Sequence, residues 1–132
     1  MNKVGFNWVT PILCVSDLVN SLDHYEKVLG FDVSWAWSDE DQFDNAAKPT
    51  FACVCRGEIS IFLCEKGQGH PGAWMSLNLS TLAELDSIYE EYQQSSAKIV
   101  EKPIDCPWGM REMLVQDLDQ NTFRIGCPLD AC

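Results

Sequence analysis

One order of secondary-structure elements runs through this chain twice. Residues 4–15, VGFNWVTPILCV, are rich in β-branched and aromatic side chains and predict a strand. It is interrupted at Pro11, because a proline has no N–H to give to a central ladder. SDLVNSLDHYEKVLG then predicts a helix. Ser16 or Asp17 can cap it, Leu18, Leu22, Tyr25 and Leu29 recur at spacings of three or four, and Gly30 can supply the left-handed stop. Residues 31–37, FDVSWAW, alternate large and small side chains and predict a strand. After an acidic, irregular stretch over 38–49, segments 50–56 and 59–65 predict a hairpin around Arg56-Gly57-Glu58, with Phe51, Cys53 and Cys55 on one side.

KGQGHPG is a loop, and behind it the order starts again. Residues 73–79 predict a strand. Leu82, Leu85, Ile88, Tyr89 and Tyr92 form an apolar helical stripe, with Thr81 as cap and Glu84 completing a capping box. A short strand over 98–102 and a second hairpin, 108–116 with 122–127 around 117–121, complete the unit. Two successive β-α-β-β-β units follow, with little residue identity between them. One unit offers a sheet face too small to bury alone, so the two must pack together, within or between chains. At 132 residues and 14.9 kDa there is little room for a second independent core. The expected class is α+β, a single domain over 1–132 of two half-units, about 1–66 and 72–132.

Lys and Arg total 9 and Asp and Glu 20, a net charge of -11. That balance repels phosphate backbones and anionic lipid, so no nucleic-acid or membrane partner is expected, and a cationic ligand is favoured. The seven cysteines form no C-x-x-C pair and six lie in or beside apolar runs, which reads as core filling in a reducing compartment. The N-terminus shows no signal-peptide pattern, and a cytoplasmic protein is expected.

The order of elements, with TPILCVSDLVNSLDHYEKVLGF and CPWGMREMLVQDLDQNTFRI, resembles the glyoxalase / bleomycin-resistance / extradiol-dioxygenase family, the vicinal oxygen chelate fold. The nearest echoes are to bleomycin-resistance proteins: the apolar-Pro-apolar start, D-L followed by Y-x-x-x-L-G-F, EISIFL, AWMSLNL, and WG-x-RE before an aspartate-flanked turn. A ferredoxin-like fold fits less well, since each helix here precedes three short strands. The resemblance implies a cupped mixed sheet and a homodimer. Pro11 matches the proline at which bleomycin-resistance proteins pass their first strand to the partner, which would shelter the apolar Phe6 and Trp8. The usual Asp-Pro-Asp-Gly turn is Asp117-Leu118-Asp119-Gln120 here, and Asn121 is expected to be the left-handed residue.

The family's enzymes hold a divalent metal on His, Glu or Gln side chains of the first, fourth, fifth and eighth strands. Matching motif to motif puts Thr10, Phe62, Trp74 and Arg124 there. An arginine carries only donors and stays charged, so it is no ordinary cation ligand. His24 falls on the first helix and His70 in the central loop, away from those strands. Asn7, Glu65, Ser76, Asn78 and Asp130 leave an all-oxygen site for a hard ion open. In place of a metal box the chain is aromatic and acidic. Trp108 at a strand mouth, Trp74 as a cavity floor, Trp35 and Trp37 on one face, Phe62, and Phe43 and Asp41 in the acidic loop are the expected ligand contacts. Asp39, Glu40 and Asp44 extend the rim, with Glu101 and Asp105 opposite. Glu112 joins the contacts or, as an inward carboxylate needing a partner, pairs with a group of a second chain. The expected function is binding and sequestration of a small, cationic aromatic molecule, with no cofactor and no metal-dependent turnover. The alternatives are a glyoxalase- or dioxygenase-like enzyme with a divalent metal, and a protein-interaction module without a closed cavity.

Overall fold

In a computed structural model of the chain, described over residues 3–38, 48–65 and 67–131, the two halves follow the same path. The first contains β1 (Ile12–Cys14), α1 (Leu18–Lys27), β2 (Asp32–Trp37), β3 (Phe51–Arg56) and β4 (Ile59–Cys64). The second contains β5 (Trp74–Asn78), α2 (Leu82–Gln94), β6 (Lys98–Asp105), β7 (Met110–Gln116) and β8 (Thr122–Pro128). Each half makes a mixed four-stranded sheet, β1-β4-β3-β2 and β5-β8-β7-β6, in which the outer strand before the helix runs parallel to the last strand and the other pairs are antiparallel. Among the described residues no helix is long and apolar enough to cross a membrane.

Local chemistry sets the helix ends. Of the two candidate caps on α1, Asp17 acts, its Oδ1 accepting from the Asn20 N–H at 3.0 Å. Thr81 and Glu84 form the reciprocal capping box of α2. Gly30 takes φ 76°, the left-handed stop.

Strand alternation then splits each sheet into two faces. Leu13, Ala52, Val54, Ile61 and Leu63 point inward from the first sheet, and Met113, Val115, Phe123 and Ile125 from the second. They meet Leu18, Tyr25, Leu29, Leu85 and Tyr92 of the α1 and α2 regions in one apolar cluster. Polar ties cross between the halves as well. The Tyr25 hydroxyl donates to Asp117 at 2.7 Å, and Asn121 donates to the Cys14 carbonyl at 3.1 Å and accepts from the Ala73 N–H at 3.0 Å. Arg56 forks onto Glu91 at 2.6 and 2.8 Å and donates to the Leu29 carbonyl, which also accepts from the Tyr92 hydroxyl.

Three expectations are corrected. The strand expected over 4–15 pairs only at Ile12–Cys14, with the Pro11 carbonyl accepting from the Phe62 N–H, because residues 3–10 meet no neighbouring strand among the described residues; Phe6 is 102% and Trp8 80% exposed. The strand expected over 98–102 runs to Asp105. It is an outer strand with register shifts that accommodate Pro103, where a missing N–H does no harm. In the 117–121 turn the left-handed residue is Gln120, at φ 64°, while Asn121 spends its side chain on the ties to Cys14 and Ala73.

Candidate functional site

The faces turned away from the core carry the residues of interest. On the first sheet, register places Trp35 and Phe62 opposite Cys53, and Trp37 opposite Phe51, so these side chains share one face. Trp35 stacks on Phe51 at 5.6 Å and 23°, and Phe62 lies 5.5 Å from Trp35 and 5.3 Å from Phe51. Trp37 stands at the end of the same row, more than half exposed. The result is an open aromatic platform.

On the second sheet, Met113 and Val115 face the core, which turns Glu112 and Leu114 to the opposite side with Arg124. These residues, with Trp74 and Trp108, line a cavity of about 200 Å³. Trp108 sits in the turn before β7, not on the strand, and is 62% exposed; Trp74 is 64% exposed. Glu112 is only 6% exposed. Its carboxylate accepts from the Trp108 indole N–H, from Arg124 Nε, and from Arg124 Nη2 at 3.2 Å. The Arg124 guanidinium carbon lies 5.6 Å from the centre of the Trp108 ring, so the cation over that indole is the protein's own. The guanidinium holds the Glu112 carboxyl below its ordinary range, with burial opposing and the indole N–H assisting. Burial first, and then the Glu112 charge, push the Cys106 thiol beside it up. The partner expected for Glu112 in a second chain is thus found twelve residues along its own, on the neighbouring strand.

Gly126 makes this possible. It is the register partner of Glu112, and a Cβ there would lie 2.9 Å from the Glu112 Cγ and 3.2 Å from the Arg111 carbonyl oxygen. The missing side chain is the space through which Glu112 crosses to Arg124. A glycine two residues after an arginine inside the strand TFRIGCP was the available signal for this arrangement.

The four positions matched to the family's metal ligands carry Thr10, Phe62, Trp74 and Arg124, and the guanidinium among them has no lone pair to offer. Among the described residues there is no group of three or more His, Cys, Asp or Glu side chains placed to hold an ion. These side chains do not fit a divalent metal. His24 lies half-buried on α1, where burial lowers its pKa against the pull of Asp117 and Asp23, and His70 is in the central loop. Phe43 and Asp41, with Asp39, Glu40 and Asp44, lie outside the described residues. A separate groove of about 450 Å³ runs between β4 and the outer strand β5, lined by Trp8, Pro11, Ser60, Ile61, Met75 and Leu77.

Residues 5–125 match the family model described as the glyoxalase/bleomycin resistance protein/dioxygenase superfamily. No curated protein matches the chain. Among solved structures, TioX from Micromonospora sp. ML1 is 20% identical with a TM-score of 0.74, over 92% of this chain and 100% of that one. TnmS3, an antibiotic binding protein from Streptomyces sp. CB03234, is 18% identical with a TM-score of 0.72, over 96% and 99%. A glyoxalase/bleomycin resistance protein/dioxygenase from Nocardioides is 18% identical with a TM-score of 0.71, over 97% and 87%.

Proposed function

Because the chain belongs to the glyoxalase/bleomycin resistance protein/dioxygenase superfamily, we propose that it uses the fold to bind and sequester a small, flat, cationic aromatic molecule without metal-dependent turnover. The observation that carries this reading is the pair of exposed indoles, Trp74 and Trp108, at a cavity whose family metal position is taken by a guanidinium. Large exposed aromatics on a sheet and in the turn at its mouth mark a surface waiting for a flat partner. The net charge of -11 steers cations toward it. Likeness to TnmS3, described as antibiotic binding, supports a cargo of that kind.

The binding form in this proposal is a homodimer with a cleft at each of two equivalent seams. Phe6 stands in water in the single chain and Trp8, 80% exposed, only rims the groove; β5 on one side of it is an outer strand, and on the other β1 pairs β4 from Phe62 onward, leaving Ile59–Ile61 beyond its reach. An exchanged N-terminal arm would place these aromatics against the groove.

Titration of tryptophan fluorescence with a cationic and an anionic dye of similar size, at low and about 0.5 M salt, tests the reading. Saturable quenching by the cation is expected, weakened by salt, unchanged by dialysis against EDTA and largely lost in Trp108→Ala. Equal binding of the anion, or near-stoichiometric transition metal whose removal abolishes binding, would overturn it.

A further inference from the structure

The structure assigns Arg124 a further role, resting on the binding reading above: we propose that it is the specificity-determining residue of the cavity, selecting ligands that carry a neutral carbonyl-type oxygen on the edge of the aromatic ring. A guanidinium has five N–H donors. Nε and one N–H of Nη2 are spent on Glu112, which leaves three donors unengaged among the described residues, on a side chain that is 45% exposed at the cavity.

Its position is held from two sides. The two-pronged contact with Glu112 sets the plane of the fork, and the Trp108 ring lies against it, itself tethered to the same carboxylate through its indole N–H. Gly126 supplies the clearance that lets Glu112 reach it. A donor fork fixed before the ligand arrives loses little freedom on binding, and its hydrogen bonds to an acceptor are directional.

Charge decides which acceptor. The Glu112 carboxylate, deprotonated at neutral pH, cancels the guanidinium's charge, and Glu101 also lines the cavity. With no net positive charge there, a carboxylate gains little attraction, while a carbonyl oxygen still finds the directed N–H groups. A ligand whose ammonium group is drawn by the acidic protein and whose ring oxygen meets Arg124 satisfies both demands.

The test uses two flat tricyclic probes with the same alkylammonium arm, N-(aminopropyl)acridone and N-(aminopropyl)carbazole, which differ in the ring carbonyl. Isothermal titration should show the acridone binding about tenfold more tightly to the natural protein, the effect of one charge-assisted hydrogen bond. The ratio should fall near one in Arg124→Met. Should that variant fail to fold, Arg124→Met with Glu112→Leu removes both charges together and leaves neither buried alone, and Arg124→Lys, which keeps charge but not the fork, should lose most of the preference. Equal affinity of the two probes for the natural protein, or a preference that survives in a folded Arg124→Met, overturns the role of Arg124 and leaves the binding reading standing. Saturable binding of neither probe removes the binding reading, and this inference with it.

Discussion

Gly126→Ala adds one methyl group at the point where Glu112 passes to Arg124. The backbone at Gly126 is not in the left-handed region, so alanine can adopt it. On that ground alone the change would stabilise by about 0.4–1 kcal/mol, through the lost freedom of the unfolded chain. Against this, the new Cβ would stand 2.9 Å from the Glu112 Cγ, well inside contact distance, and 3.2 Å from the Arg111 carbonyl oxygen. Cγ lies in the middle of a side chain whose far end is fastened by Trp108 and Arg124, so it cannot swing clear without giving up those contacts. Overpacking of this kind costs about 1–3 kcal/mol. The expected net loss is about 1–2 kcal/mol, which for a chain of this size lowers Tm by roughly 4–8 °C. Urea and thermal unfolding of a double-mutant cycle isolate the cause. In a Glu112→Ala background the Cγ is gone, and Gly126→Ala should then be within about 0.5 kcal/mol of neutral, its residual cost set by the Arg111 carbonyl. An equal loss in both backgrounds, or a gain in the natural protein, would refute the claim that Gly126 exists to pass Glu112.

Sedimentation equilibrium at micromolar concentration should give twice 14.9 kDa, and deletion of residues 2–9 should shift the distribution toward monomer; a natural protein that is monomeric there defeats the arm exchange. Arg56→Ala removes the fork onto Glu91 and the contact with the Leu29 carbonyl, and should cost about 1–2 kcal/mol in urea unfolding because the pair is only partly screened from water. Arg56→Lys should restore only part of this, since an ammonium cannot span both carboxylate oxygens. Burial, with the Asp117 charge and hydrogen bond adding to it, raises the Tyr25 phenol well above its ordinary value, and burial pushes Tyr92 up to about 12. A folded-state pKa above the unfolded one means that the stabilisation is whole below about pH 10 and drains away as pH rises past it. Absorbance titration should therefore find Tyr25 and Tyr92 still protonated at about pH 11, and Tyr25→Phe should flatten the alkaline loss of stability.

The helices, their caps, both hairpins and the doubled β-α-β-β-β order were legible in the residues because each is a local matter. Asp17 reaches a backbone N–H three residues on, Thr81 and Glu84 answer each other, and the stripe of α2 repeats within a few turns. Alternation also puts Trp35 and Trp37, and Phe51, Cys53 and Cys55, on common sides, since it needs no knowledge of neighbouring strands; it sets Arg111 and Glu112 on opposite sides without saying which is inward, and Trp74 is reached through the family resemblance instead. What a side chain meets on its face was not legible. Glu112 was left with a partner to find, and only the pairing of β7 with β8 brings Arg124 beside it, with Gly126 opposite to give it room. The sequence by itself therefore determined which elements form and which side chains of a strand share a side. The tertiary structure decided which of those sides faces the core, that Arg124 serves Glu112 and covers Trp108, and that Phe6 and Trp8 find no strand among the described residues of their own chain. Periodicity runs along the backbone, whereas partners are set across it, by strand register and by which sheet edges the fold leaves open.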